Sequence, residues 1–112
     1  MSQIFTHKDY TIVAETYSTS QSWGHKATLY HNGYSVHTAK IRYYNRTWES
    51  YQYQSVIRNL LADEIHEYQV SAYALYKDTH NIKRLNDTHK QKAIDEFCGE
   101  NYKTLKEWYE KL

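Results

Sequence analysis

Seven histidines and a single cysteine are the side chains here whose types most readily suggest catalysis or metal binding. His25 and His37 fall in two strand-like segments whose preferred hairpin register sets them diagonally on one face, close enough to share a small ion. Asp63 and His66 have the i, i+3 spacing of a helical metal pair. Neither set reaches the third and fourth ligand that a bound ion needs, so these histidines read as edging the core or the solvent. Cys98 sits beside Phe97 on the apolar side of a helical pattern, where a thiol behaves as a small hydrophobe and not as a nucleophile. Glu64 and Glu67 could do acid–base work as a pair, but they share a charged helix face on which both ionise normally. The chain has no Walker loop, no Gly-x-Gly-x-x-Gly, no Gly-x-Ser-x-Gly and no Cys-x-x-Cys. The expectation is a protein that is not an enzyme and uses no cofactor and no metal.

The composition narrows the class further. Fourteen Lys and Arg against thirteen Asp and Glu give a net charge of +1, which supports neither a strongly basic nucleic-acid binder nor an acidic mimic of DNA. Thirteen of the 112 residues are tyrosine, a residue enriched at protein interfaces because it joins a large apolar ring to a polar tip. One cysteine permits no internal disulfide and fits a reducing compartment. No apolar run is long enough to span a membrane, and the polar N-terminus has no signal-peptide core, so the expected location is the cytoplasm. With no proline, three glycines and no low-complexity stretch, residues 1–112 read as one continuous α+β domain.

The elements that must position any site change character between Ile41 and Leu61. Ahead of this stretch the sequence alternates in twos; after it, apolar residues fall three and four apart. Met1 to Asp9 reads as a segment that packs loosely or frays. Tyr10–Tyr17, His25–Tyr30 and Tyr34–Tyr44 read as three antiparallel strands, the last two joined at Asn32-Gly33, a strong hairpin signal. A two-residue turn with an unbroken register would place Lys40 and Arg42 on the face of Ala27 and Leu29. A three-residue loop, His31-Asn32-Gly33 with Gly33 left-handed in a bulge, pairs Ala27 with His37 and leaves Ala39, Ile41 and Tyr43 on the apolar face. The bulged hairpin is therefore preferred.

Asn45 or Thr47 is expected to cap a helix, Glu49 to favour its positive end, and Trp48 to fold back over the sheet as an anchor. Tyr53, Ile57, Leu60, Leu61, Ile65, Tyr68, Ala72, Leu75 and Tyr76 then mark one long helix from about Trp48 to Lys77 or beyond, long enough to invite a kink near Glu67 or a dimer-forming stripe. Asn86 or Asp87 caps a second helix carrying Ala93, Ile94, Phe97 and Cys98, which Gly99 ends. Asn101 caps a third, with Leu105, Trp108, Tyr109 and Leu112 at helical spacing. The fold expected is a small three-stranded antiparallel sheet packed against a long helix and two shorter C-terminal ones.

The polar face of that sheet would show Lys26, Thr28, Tyr30, Val36, Thr38, Lys40, Arg42 and Tyr44. Cations interleaved with rings suit either a protein partner or nucleic acid, since rings stack on bases while cations meet phosphates. Tyr30, Lys40, Arg42 and Tyr44 are the candidate partner-binding residues.

The segment from His31-Asn32-Gly33 through Tyr43-Tyr44-Asn45-Arg46-Thr47-Trp48-Glu49-Ser50-Tyr51 to Val56-Ile57, about a quarter of the chain, resembles a block found in small uncharacterised proteins of phages and mobile elements of Gram-positive bacteria. The resemblance carries no functional residues with it. It implies a biological setting in which small non-enzymatic proteins block host enzymes, anti-CRISPR proteins among them. The expectation is an inhibitor that binds and occludes a host defence protein such as a CRISPR effector nuclease. The alternative is a nucleic-acid-binding accessory protein using the same sheet face, with Lys83, Arg84, Lys90 and Lys92 in support. The long helix also raises a self-associating structural protein, monomer or homodimer.

Overall fold

A computed structural model describes residues 2–43 and 53–112. It contains β1 (Ser2–His7), β2 (Tyr10–Ser18), β3 (Trp23–His31), β4 (Tyr34–Tyr43), α1 (Gln54–His80), α2 (Asp87–Phe97) and α3 (Gly99–Lys111). The class is α+β, with a four-stranded antiparallel sheet in the order β1-β2-β3-β4 and three helices. The chain divides into two compact units. One holds the sheet and α1 as far as Ala62, together with Leu112; the other is Asp63–Lys111.

The sheet has one strand more than the sequence suggests. Ser2–His7 carries only Ile4 and Phe5 as apolar residues, too few to show a strand pattern, yet it pairs with β2 along its whole length, from Ser2 opposite Glu15 to His7 opposite Tyr10. Its turn is Lys8-Asp9, with Lys8 held at a φ of 56°, a conformation that Lys seldom supplies and that no turn signal announces. Between β2 and β3 the Thr19 hydroxyl accepts the Ser22 N–H at 3.1 Å while the Thr19 N–H donates to the Ser22 carbonyl at 2.7 Å, closing the connection.

The hairpin of β3 and β4 corrects the expected loop. Asn32 (φ 51°) and Gly33 (φ 87°) form a two-residue turn of the I′ kind, with His31 opposite Tyr34. The ladder then slips between Leu29 and Tyr30: Tyr30 faces Ser35, Leu29 faces His37, and Val36 is the extra residue of a bulge. Ala27 consequently pairs with Ala39, not with His37. The reason is the one that argued for a bulge, since a register without it would turn Lys40 and Arg42 toward Ala27 and Leu29. The protein makes the correction three residues after the turn. β3 also starts earlier than expected, at Trp23, which takes Gly24 into the sheet.

One face of the sheet is apolar and covered. Tyr10, Ile12 and Ala14 of β2 and Ala27 and Leu29 of β3 are buried, and the fully buried Ile12 and Leu29 face each other across the strands. Full burial of such a side chain contributes ~1.5–3 kcal/mol. Tyr53, just ahead of α1, reaches this face: its hydroxyl lies 3.1 Å from that of Thr16, and its ring centroid 4.5 Å from that of His25. Val56, Ile57, Leu60 and Leu61 follow, all buried. Tyr53 thus ties the start of α1 to the sheet, and the helix begins at Gln54. The expected caps Asn45 and Thr47, with Trp48 and Glu49, lie outside the described residues.

α1 runs unbroken for 27 residues, with no interruption at Glu67. It ends where Asn81 turns left-handed (φ 53°) and the Ile82 N–H returns to the Lys77 carbonyl at 3.0 Å, the bond of a Schellman cap. In the second unit Ala72, Tyr76, Ala93, Cys98, Tyr102, Leu105 and Trp108 are buried. Asn86 caps α2 by accepting the His89 N–H at 2.8 Å, and its own backbone N–H donates in return to the His89 ring Nδ1 at 3.4 Å. Gly99 is left-handed at φ 71°, but α3 starts there, so Asn101 lies inside the first turn instead of capping it.

Candidate functional site

The open face of the sheet is built by strand alternation. Opposite the buried residues, β2 places Val13, Glu15 and Tyr17, β3 places Gly24, Lys26, Thr28 and Tyr30, and β4 places Thr38, Lys40 and Arg42. Thr38, Lys40 and Arg42 are exposed. The register sets Lys26 directly across from Lys40, a repulsive pairing in itself. Two neighbours relieve it. Glu15, opposite Lys26 on the other side, brings a carboxylate oxygen to 3.9 Å from the Lys26 ammonium. Lys40 turns its ammonium over the Tyr17 ring, 5.7 Å from the centroid.

Tyr17 lies across from Gly24, whose other neighbour is Arg42. A Cβ on Gly24 would stand 2.9 Å from the Tyr17 hydroxyl, so the ring occupies the space that the glycine leaves. The result is a cluster of Tyr17, Lys26, Lys40 and Arg42 with Glu15 beside it, three cations to one carboxylate, around a glycine notch. Of the residues expected from the sequence, Lys40 and Arg42 belong to this cluster. Tyr30 does not: it faces Ser35 next to the bulge, four residues along β3 from Lys26, or ~13 Å at the rise of a strand. There it lies by the exposed Tyr34 and Val36 at the hairpin end. Tyr44 lies outside the described residues. Tyr17 and Glu15 went unsuspected because a face drawn from the hairpin alone omits the strand that borders it; alternation along Tyr10–Tyr17 is the signal that finds them.

His25 is buried on the covered face, its Nδ1 3.4 Å from the Tyr43 hydroxyl and its ring among those of Trp23, Tyr43 and Tyr53. His37 pairs with Leu29, four residues along the ladder from His25 opposite Ile41, so the observed register separates the two histidines by ~13 Å. Asp63 and His66 are both exposed on α1. The Cys98 thiol donates to the Tyr68 carbonyl at 3.6 Å, and burial, followed by the charge of Asp95, pushes its pKa up, away from a reactive thiolate. In the second unit a groove of about 250 Å³ lies along α2 and α3, with Ile94, Asp95, Gly99, Tyr102, Lys103 and Lys106 in its wall. The Tyr102 hydroxyl there is already engaged by Gln69 at 3.1 Å and Lys106 at 3.4 Å.

Comparison with protein families, curated proteins and solved structures finds no match. No described helix is long and apolar enough to cross a membrane.

Proposed function

We propose that the chain is a non-catalytic binding protein that docks a protein partner on the open sheet face and inhibits it by occupying its working surface. The observation that carries this reading is the cluster of Tyr17, Lys40 and Arg42 around the Gly24 notch. Arginine and tyrosine are the residue types that dominate binding energy at protein interfaces, and Lys40 is already ordered against a ring, which lowers the entropy lost on docking. The resemblance of the 31–57 segment to phage and mobile-element sequences directs the search to host defence proteins, with a CRISPR effector nuclease as the first partner to try. A second reading, nucleic-acid binding, draws on the local excess of cations beside Tyr17.

Retention of proteins from a Gram-positive host lysate on the tagged chain, with and without nuclease treatment, separates the two. A single protein retained after treatment supports occlusion; retention of nucleic acid alone, weakening steeply with salt, supports the second reading. The double substitution Lys40→Ala, Arg42→Ala should lower partner affinity by at least about ten-fold while leaving the melting temperature unchanged. Undiminished affinity in that variant would remove the open face from the interaction.

A further inference from the structure

The two edges of the sheet are built differently. β4 carries a bulge at Val36 and the charged side chains of Lys40 and Arg42, devices that discourage a strange strand from adding to an edge. β1 has none of them. Ser2–His7 contains no Lys, Arg, Asp, Glu or Pro, pairs with β2 without a bulge, and leaves Ile4 68% exposed. Among the described residues no strand pairs with its outer side.

The direction of its backbone groups follows from the turn. His7 and Tyr10 flank a two-residue connection, so they form a hydrogen-bonded pair. Alternation then points the N–H and C=O of Gln3, Phe5 and His7 toward β2, and those of Ser2, Ile4 and Thr6 outward.

We propose that β1 pairs antiparallel with β1 of a second copy of this chain, making a two-fold symmetric dimer with a continuous eight-stranded sheet. A two-fold axis perpendicular to the sheet keeps each face on its own side, so facing residues must share parity, and the register is restricted to pairs that do. With the axis at Ile4, Ile4 faces Ile4 of the partner subunit, and Ser2 faces Thr6 of the partner subunit in both directions. Every outward donor and acceptor then meets another, giving about six backbone hydrogen bonds. An axis at Phe5 matches Ile4 only with Thr6 and leaves Ser2 unmatched, for about four. The Ile4 register also covers the most exposed aliphatic side chain of the sheet with its own symmetry mate. The two open faces lie on the same side of the joined sheet. This inference is independent of the docking function proposed above.

The contact is small, so the dimer should be weak and concentration-dependent. Light scattering and sedimentation of the intact chain, from about 10 µM to about 1 mM, should show the mass rising from 13.5 kDa toward twice that value. Thr6→Pro removes an outward N–H without touching the ladder to β2, and Ile4→Lys puts like charges on the axis; each should hold the protein monomeric with an unchanged circular dichroism spectrum. In a Cys98→Ser background, Ile4→Cys should cross-link under mild oxidation, because facing hydrogen-bonded residues have Cα atoms ~5.5 Å apart, within disulfide reach. Thr6→Cys, ~13 Å from its symmetry mate, should not. A wild-type chain that stays monomeric throughout, association that survives both edge substitutions, or faster cross-linking at Thr6→Cys would each overturn the proposal.

Discussion

Replacing Gly24 by alanine tests the sheet register on which the candidate site depends. Gly24 lies in β3 between Tyr17 on one side and Arg42 on the other. A Cβ there would fall inside the van der Waals envelope of the Ile41 carbonyl oxygen, and 2.9 Å from the Tyr17 hydroxyl. The hydroxyl ends a long side chain and can swing away. The carbonyl belongs to the β4 backbone, opposite His25, and moves only if the ladder opens. Overpacking of this sort costs ~1–3 kcal/mol. One or two ladder hydrogen bonds lost with it add ~1 kcal/mol each. Alanine's smaller unfolded-state entropy returns ~0.5–1 kcal/mol, so the net loss is about 1–4.5 kcal/mol. For a chain of this length a loss of that size lowers the melting temperature by roughly 4–18 °C. Thermal unfolding followed by far-UV circular dichroism, together with a urea titration, measures it. A fall of less than ~3 °C would mean that β4 yields easily at Ile41, and the close approach of β3 and β4 would lose its structural meaning.

Two further outcomes are expected. Asn86→Ala removes the side chain that accepts the His89 N–H at 2.8 Å, and urea unfolding should show a loss of ~1 kcal/mol, most of it restored by Asn86→Ser. The Asp9 carboxylate is held below its ordinary pKa, chiefly by its hydrogen bond to His31 Nε2 at 2.8 Å. A group depressed on folding stabilises the protein above its unfolded pKa, near ~3.9, and the contribution disappears as the pH falls through the folded value. Wild type should therefore be more stable than Asp9→Asn at pH 6, with the difference closing as the pH falls below the ordinary carboxylate range; a difference that stays constant as the pH falls would show that the carboxylate charge is not the cause.

How far the sequence revealed the fold depended on how locally each feature is encoded. Asn32-Gly33, Asn86 and Gly99 announced themselves because each meets a backbone requirement by its own chemistry, a positive φ or a capping oxygen. The alternation of apolar and charged residues also settled which sides of β3 and β4 face inward. What it left open was the device, since a three-residue loop and a two-residue turn with a later bulge give the same facing. β1 escaped because an edge strand with two apolar residues has no periodicity to display; its place comes from the ladder to β2. In the same way Lys40 and Arg42 were visible as surface cations, whereas their company of Tyr17, Glu15 and Gly24 is a product of strands meeting, which spacing along one segment does not contain.

The order β1-β2-β3-β4 has a bearing on how quickly the sheet can assemble. Every strand finds its partner in the next stretch of chain, across connections of two to four residues, so no pairing waits for a distant segment to arrive. Closing such short loops sacrifices little chain entropy, and hairpins of this kind form in microseconds. The chain has no proline, so no cis–trans isomerisation can hold back part of a refolding population. The inner edges of the growing sheet, those of β2 and β3, are therefore left unpaired for only a short time after synthesis, until the next strand folds against them.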